Sequence, residues 1–440
     1  MSEQKKRVGL YTLGCKVSLY ETEAIAEKFA EEGFLIAPFD EICDVYVINT
    51  CTVTAESDAK SRKYIRRAIR KNPSAVVIAV GCYSQRAADE VAKIDGVSVV
   101  IGTQDKLKCV EYAKLCLQKR FKTPGIFVSS LEGTRFEKMR VSIPDRTRAY
   151  VKIEDGCECK CTYCAISGAR GPVRSKPIAD VIDEVEALRD RGVHEVVLTG
   201  IETGSYGVDL GEGYGLCELM EELDRRGSID RVRLGSMAPE LLSEEFARRV
   251  MTLPIMVPHI HISMQSGSDN VLFAMKRRYN AKMALKNLER IRKYSPRCQF
   301  TADLMVGFPG ESVEDYLLTE EFVRKAYLLD AHVFAYSRRE GTPAAYYENQ
   351  IPEEVKKERS ARLIALKNKV RERLLTQVVS SAEPLRAIME SLVGEEYVGH
   401  SDSYIEVRCK YGEDITGRVV NIIPECHKNG VIYGKLQEIK

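Results

Sequence analysis

The sequence predicts an α/β protein in three parts: a doubly wound α/β domain, an incomplete (β/α)6 barrel, and a small carboxy-terminal antiparallel β-barrel. Apolar strand-like runs alternate with amphipathic helical stretches in two successive series. A long charged helical segment follows, and after it come short alternating segments separated by glycine. A length of 440 residues suits about three domains, and 44% apolar with 30% charged residues allows each of them a core.

The first series places strands at Arg7–Leu13, Asp44–Thr50, Ala75–Gly81 and Val97–Thr103, with the helical stretches ETEAIAEKFAEEG and KSRKYIRRAIRK between them. Strands apolar nearly throughout and separated by helices imply a parallel sheet covered on both faces. The second series reads AYVKIED, EVVLTGI, RVRLGSM, HIHISMQ, FTADLMVGF and DAHVFAYS. Six such units fall short of the eight that close a barrel, and their site is expected at the carboxyl ends of the strands. A charged helix from Pro352 to about Leu375 leads to the tail, where YIEVRCK, GRVVNII and VIYGKL read as barrel strands. The expected domains are residues 1–130, 140–372 and 376–440.

With 66 basic and 64 acidic side chains the net charge is +2, so any affinity for nucleic acid must be local. No apolar run approaches the ~18 residues of a bilayer span, and the start lacks the pattern of a signal peptide. These features predict a cytoplasmic protein with no membrane partner. There, the 14 cysteines are expected in metal or redox chemistry rather than in a disulfide framework.

Cys157, Cys161 and Cys164 stand in CxxxCxxC spacing directly after a predicted strand. Three thiolates on one tight loop can hold three irons of a [4Fe-4S] cluster and leave the fourth open for chemistry. A zinc knuckle would need a fourth ligand, which neither Cys nor His supplies at ordinary spacing downstream. Cys159 offers the competing register CxCxxC and is assigned as a non-ligand. Cys15, Cys51 and Cys82 each fall just past one of the first three strands, in LGC, NTC and VGC. Strand ends of a doubly wound sheet share one edge, so these cysteines are expected to converge. Three buried small hydrophobes would be the bland alternative; their equivalent placement favours a second cluster with an open iron.

With these motifs in place, the sequence resembles the radical S-adenosylmethionine methylthiotransferases along essentially its whole length. The matching segments are LGCKVSLYETEA, DVYVINTCTVT, AVGCYSQ, EVVLTGIETGSYG, HIHISMQSGSDNVLFAMKRRY, DLMVGFPGES and HVFAYSRREGTPAA, in that order. GCKV followed by YETE is similar to the branch that modifies N6-threonylcarbamoyladenosine in tRNA. Ser18, Ser167 and Glu202 depart from the family's usual residues, and none removes a cysteine of either trio. The resemblance implies a methylthiotransferase domain, a radical barrel and a TRAM-like RNA-binding tail. It also implies two [4Fe-4S] clusters, S-adenosylmethionine, an electron donor such as flavodoxin or ferredoxin, and a separate sulfur donor. The implied reaction adds a methylthio group to C2 of the adenosine next to the anticodon. The alternatives are the same chemistry on N6-isopentenyladenosine or on a ribosomal protein, and a non-catalytic iron–sulfur protein that binds RNA or carries electrons.

Candidates to hold S-adenosylmethionine lie at barrel strand ends: Thr199, Gly200, Ser236, Glu240, Gln265 and Ser266. Asp303 and Arg338, also at strand ends, are candidate ligand contacts, against an internal ion pair as the alternative. His259 and His261 alternate along one strand and read as core or pocket-wall residues rather than metal ligands. The run Lys60, Arg62, Lys63, Arg66, Arg67, Arg70 and Lys71 has seven bases and no acid, and suits phosphate contacts beside the second trio, against a merely solvated helix face. Arg277 and Arg278 form a second basic group facing the same cleft. In the tail, net acidic from Thr376 onward, Arg418 with Tyr397, His400 and Tyr404 are the expected RNA contacts.

Overall fold

Strands β1 (Arg7–Thr12), β2 (Leu35–Ala37), β3 (Val45–Thr50), β4 (Val76–Gly81), β5 (Val99–Ile101) and β6 (Gly125–Phe127) form one parallel sheet in the order β2-β1-β3-β4-β5-β6. The computed structural model describes residues 5–119, 124–144 and 147–437. The outermost ends expected for the first and third domains, residues 1–4 and 438–440, lie outside these ranges. Helices α1 (Lys16–Glu31), α2 (Ala55–Lys71), α3 (Cys82–Arg86), α4 (Ala88–Ala92) and α5 (Cys109–Leu117) cover the sheet. Two apolar clusters, one around Val8, Val47 and Ile78 and one around Tyr46, Ile48 and Val77, fill its two faces. Because β3 and β4 are buried at every position, they lack the alternation that marks a half-exposed strand. Strands β2 and β6, three residues each, are too short to leave a pattern and were not expected.

The chain continues with β7 (Arg148–Lys152), β8 (Glu154–Asp155), α6 (Ile166–Arg170), β9 (Arg174–Ser175) and α7 (Ile178–Arg189). Strands β10 (Glu195–Thr199), β11 (Arg231–Leu234) and β12 (Ser236–Met237) follow, with α8 (Leu216–Arg226) between the first two. Next come α9 (Glu244–Arg249), β13 (His259–Gln265), α10 (Asp269–Ala274), α11 (Ala281–Tyr294), β14 (Gln299–Val306), α12 (Val313–Ala326) and β15 (Asp330–Ala335). Strand β10 lies between β7 and β11, and β12-β13-β14-β15 continue beyond the break at Gly235, all pairs parallel. A bridge between Val232 and Met256 spans that break. These are the six strands expected, with one strand interrupted, curved around a single large core.

Helix α13 (Glu353–Ser381), 29 residues long, extends ~44 Å at 1.5 Å per residue. It joins two cores: Leu363 and Val370 belong to the barrel, Leu374 and Leu375 to the tail. The tail closes a five-stranded barrel in the order β16-β17-β18-β20-β19, from β16 (Leu385–Val393), β17 (Glu396–Ser401), β18 (Glu406–Cys409), β19 (Val419–Lys428) and β20 (Val431–Leu436). All pairs are antiparallel except β18 with β20, which is parallel, a correction to the purely antiparallel barrel expected.

The tail docks on the amino-terminal ends of the barrel strands through polar groups. Tyr404 stacks between His259 (4.6 Å between centroids) and His400 (5.0 Å), with the Arg233 guanidinium 5.0 Å from its ring. Arg231 pairs with Asp402, and Arg233 donates to the carbonyls of Ser401 and Asp402. Beneath them, buried Glu195 accepts from Arg231 Nε (2.8 Å) and Arg233 Nε (2.9 Å), with Arg148 at 3.7 Å. Burial opposes the charge of Glu195, but Arg233, Arg231 and Arg148 overcome it and hold its carboxyl at about 2. A carboxyl held below its ordinary value of 4.5 adds stability that is complete above that pH and is lost as the pH falls towards 2. The stability difference between wild type and Glu195→Gln should therefore be roughly 3 kcal/mol at pH 7 and shrink between pH 4.5 and 2, as read from urea midpoints across that range.

Candidate functional site

The chain leaves β1, β3 and β4 at their carboxyl ends, and each exit carries a cysteine. Cys15 caps α1, Cys51 follows β3, and Cys82 begins α3. Gly14 between β1 and Cys15 has φ +118°, a backbone conformation that other residues rarely adopt, and a Cβ there would sit 3.0 Å from Ser18 Oγ. The Ser61 hydroxyl bonds both the amide and the carbonyl of Cys51 at 3.2 Å and fixes that turn. The three thiols lie close enough to act on one another's ionisation; burial raises Cys51, and raises Cys82 to about 11.

Cys157, Cys161 and Cys164 lie on the loop between β8 and α6. The Cys157 amide donates to Gly171 O and the Cys164 amide to Cys161 O, while Thr162 ties the loop to Met275 and Ala344. The Arg277 guanidinium stands 3.3 Å from the Cys161 sulfur and 4.9 Å from the Tyr279 ring centroid, and donates to Ser263 O. The Cys159 and Cys157 thiols act on one another, which holds Cys159 down to about 6 and raises Cys157. Among the described residues no three His, Cys, Asp or Glu side chains converge as a single metal ion requires. Ligands of a four-iron cluster bind separate irons, and two sets of three thiols suit such clusters.

A buried ionic network joins the trios. Arg170, fully buried on α6, donates from Nε to the Cys82 sulfur at 3.1 Å, pairs with Glu21 of α1 (2.5 Å), and reaches Asp155 (3.2 Å), two residues before Cys157. Lys152 bridges Glu21 (2.9 Å) and Asp155 (2.5 Å), Lys106 reaches Glu21 (3.0 Å) and Glu137 (3.8 Å), and Arg174 adds to Asp155 (3.6 Å). Burial opposes both charges, but Arg170 and the lysines hold Glu21 and Asp155 well below the usual carboxylate range. Four cations thus face three carboxylates, leaving positive charge beside Cys82. On the opposite side, Arg339 pairs with Asp58 (2.7 Å) and bonds Thr52 (2.7 Å), next to Cys51, while Arg86 of α3 donates to Glu340 O.

The strand ends near Cys157 hold several buried oxygens without partners: Glu154 Oε1, Thr203 Oγ1, Glu240 Oε2 and Gln265 Oε1. Such acceptors suit the ammonium and hydroxyls of S-adenosylmethionine. Gln265 has φ +66°, at a register shift in β13, the strained setting common at ligand sites. Burial raises Glu202 to about 8, and its Oε1 accepts from Ala238 N at 3.0 Å. Ser236 is half-buried at the break, and Thr199 is buried at the end of β10. Two candidates serve the scaffold instead. A Cβ at Gly200 would lie 2.3 Å from Glu154 Oε2, so its glycine makes room for that carboxylate. Ser266 turns its hydroxyl to Thr319 (3.2 Å) and Ser268 N (3.1 Å). Glu154, Thr203 and Arg170 were missed, since a single buried polar side chain in a short element leaves no periodic signal.

The predicted RNA contacts divide. Lys63, Arg66, Arg70 and Lys71 are exposed, and Arg66 and Arg70 line a groove of about 460 Å³ with Arg62 and Lys93. Lys60 pairs with Glu56, Arg62 with Glu90, and Arg67 with Asp40. The basic residues run away from Cys51, because α2 begins with Glu56 and Asp58. Arg278 and Arg418 are exposed, whereas Arg277 is engaged by the cysteine loop. In the tail, Tyr397 is 5% exposed in the barrel core, and His400, 2.7 Å from Glu390, and Tyr404 belong to the docking contact. Asp303 forms an internal ion pair with His261 (3.2 Å) and His332 (3.3 Å), and Arg338 is exposed. His259 and His261 share the Thr301 hydroxyl at 3.0 and 2.8 Å, as wall residues do.

Comparison with known proteins follows the same division of the chain. Residues 151–323 match the Radical SAM superfamily and residues 7–102 match an uncharacterized protein family, UPF0004. The chain is 41% identical over 421 residues to the threonylcarbamoyladenosine tRNA methylthiotransferase MtaB of Bacillus subtilis, covering 94% of this chain and 93% of the relative. It is 34% identical over 380 residues to a tRNA-2-methylthio-N(6)-dimethylallyladenosine synthase of Akkermansia muciniphila, covering 82% and 83%. A radical S-adenosylmethionine methyltransferase from Kitasatospora setae, 15% identical, shares the fold with TM-score 0.58 over 89% of this chain and 79% of that one.

Arg170 touches Cys82 of one trio and Asp155, two residues before the other. Arg170→Met should cost about 1–3 kcal/mol in denaturant unfolding, since Glu21 and Asp155 lose its charged hydrogen bonds but keep Lys152, Lys106 and Arg174, whereas Arg170→Lys should cost less, because it retains a charge.

Proposed function

The chain belongs to the radical S-adenosylmethionine tRNA methylthiotransferase family, and we propose that it adds a methylthio group to C2 of N6-threonylcarbamoyladenosine next to the anticodon of tRNA. The observation that carries this reading is near-full-length similarity to the threonylcarbamoyladenosine enzyme, joined to two cysteine trios, one touched by Arg170 and the other reached from it through Asp155. On this reading Cys157, Cys161 and Cys164 hold the cluster that binds S-adenosylmethionine, and Cys15, Cys51 and Cys82 hold a second one. When bound, these groups supply the one-electron chemistry that opens an unactivated C–H bond and the sulfur that replaces the hydrogen.

The protein's own residues supply position and shielding. Arg277 and Arg170 each place a guanidinium against a cysteine of one trio, where it offsets thiolate charge. The unpartnered oxygens of Glu154, Glu240 and Gln265 receive the donors of S-adenosylmethionine. Glu202, raised to about 8 by burial, stays largely protonated at neutral pH and adds no second negative charge beside that site. Arg339 and Arg86 close the interface around Thr52 and shield the space between the trios. Exposed Lys63, Arg66, Arg70, Lys71, Arg278 and Arg418 are the RNA contacts on this reading, residues 376–440 act as a TRAM-like module, and a small redox protein supplies electrons.

Nucleoside mass spectrometry of tRNA from cells with and without the gene tests the substrate. Loss of the methylthio mark from the threonylcarbamoylated nucleoside is expected; loss confined to the isopentenylated one would refute the assignment. In reconstituted protein, Cys15→Ala should lower bound iron from about eight to about four per chain yet leave reductive cleavage of S-adenosylmethionine intact, whereas Cys161→Ala should abolish cleavage. Arg66→Ala with Arg70→Ala should weaken binding of an anticodon stem–loop and lower the slope of log affinity against log salt by about 2.

A further inference from the structure

Beyond β15, residues 337–346 touch the loops of both cysteine trios. Towards the first domain, Arg339 donates to the Thr52 hydroxyl (2.7 Å) and pairs with Asp58 of α2 (2.7 Å). The Ser337 hydroxyl accepts from the Ala55 amide (3.3 Å), and Glu340 O accepts from Arg86 of α3 (2.8 Å). Thr52 is the residue after Cys51. Towards the barrel, the Ala344 amide donates to Thr162 O (2.9 Å), and Thr162 is the residue after Cys161. The turn between is locked, because the amide and hydroxyl of Thr342 both donate to Arg339 O, at 3.1 and 2.7 Å, and Gly341 supplies φ +80°. From Arg339 to Ala344 the chain could reach at most ~18 Å even if extended. The neighbours of Cys51 and Cys161 are thus held at the two ends of one short tether.

Buried polar atoms are ordinarily satisfied. Arg339 is 5% exposed, yet neither its Nε nor Asp58 Oδ1 has a hydrogen-bond partner among the described residues. A buried pair left incomplete in this way adds little to stability, because the desolvation of both charges offsets their attraction. What it supplies is geometry. Arg170 holds Cys82 against Asp155 on one side, and on the other Arg339 and its tether hold the Cys51 turn against the loop of Cys161. Transfer to one carbon demands that its C–H bond, opened from the loop of Cys157, Cys161 and Cys164, lie within reach of the sulfur at the other trio. A misplacement of about 1 Å between reacting parts can cost roughly 10²-fold in rate. We propose that Arg339 is a positioning residue that sets the two trios in register, so that cleavage of S-adenosylmethionine is coupled to transfer of the methylthio group. This inference rests on the two-cluster methylthiotransferase reading and goes beyond it by assigning a residue to the coupling itself.

The test compares wild type with Arg339→Met, Arg339→Lys and Thr52→Val, the last removing only the hydroxyl that accepts from Arg339 and Arg86. With reconstituted protein and a threonylcarbamoylated stem–loop RNA, 5′-deoxyadenosine and methylthiolated nucleoside are measured in the same reaction. Arg339→Met and Thr52→Val should bind about eight irons per chain, as wild type does. They should still form 5′-deoxyadenosine, while product per 5′-deoxyadenosine falls at least about tenfold; Arg339→Lys should recover part of that ratio. In the same proteins, hydrogen exchange of residues 52–58 should quicken in Arg339→Met, with residues 155–157 unchanged. Loss of cleavage or of iron in step with loss of transfer would mark a merely structural role and overturn the proposal. So would an unchanged ratio in Arg339→Met and Thr52→Val; if Arg339→Met does not fold, the ratio in Thr52→Val decides. If wild type methylthiolates only isopentenylated RNA, the proposed substrate fails, and the same ratio measured on that RNA still decides the role of Arg339.

Discussion

Arg170 is the hinge of the arrangement. One guanidinium, wholly buried, touches a cysteine of the first sheet, a glutamate of α1 and an aspartate two residues before Cys157. An isolated charge at such depth would be prohibitively unfavourable, so the contact exists only because Glu21, Asp155, Lys152 and Lys106 surround it in register. Those five residues come from both halves of the chain. The two α/β units therefore cannot separate without exposing an unbalanced charge, and the distance between the cysteine trios is set by a network rather than by apolar packing alone.

The other end of the barrel is closed by the same kind of interaction used differently. Glu195 gathers three arginines, two of which continue to the tail at Ser401 and Asp402, and Tyr404 stacks on His259. Helix α13 makes the link covalent and contributes leucines to both cores. The barrel thus has one polar closure at its strand starts, provided by the tail, and another at its strand ends, provided by the first domain.

Much of this was legible in the residues. Strands β3 and β4 announce themselves as unbroken apolar runs, six barrel strands carry the same signal, and cysteines at equivalent strand ends imply convergence once a parallel sheet is inferred. Less legible was anything decided by partner rather than by period. Tyr397, His400 and Tyr404 look like stacking residues for RNA, but one fills the barrel core and two serve docking, because alternation along a strand cannot tell an exposed face from an interface. Arg277 reads as one of a basic run, yet it alone turns inward to Cys161. Arg170 stands 88 residues from Cys82, and no local pattern links them.

Placed side by side, Arg277 and Arg170 show a common device. Each trio of thiols has one half-buried or buried guanidinium bonded to a member's sulfur, at 3.3 Å to Cys161 and 3.1 Å to Cys82. Arg277 comes from the same barrel as its cysteine, and Tyr279 holds it from one side. Arg170 comes from the neighbouring domain, and its charge is shared among carboxylates that also steady the loop carrying Cys157. On the proposed two-cluster reading, a hydrogen bond to a ligand sulfur would withdraw negative charge from it and favour the reduced cluster. Electrostatic support for the second trio therefore depends on the two domains being docked, whereas that of the radical loop does not. An unassembled chain would hold the first kind of site better than the second, and interface substitutions far from any cysteine should disturb the amino-terminal trio first.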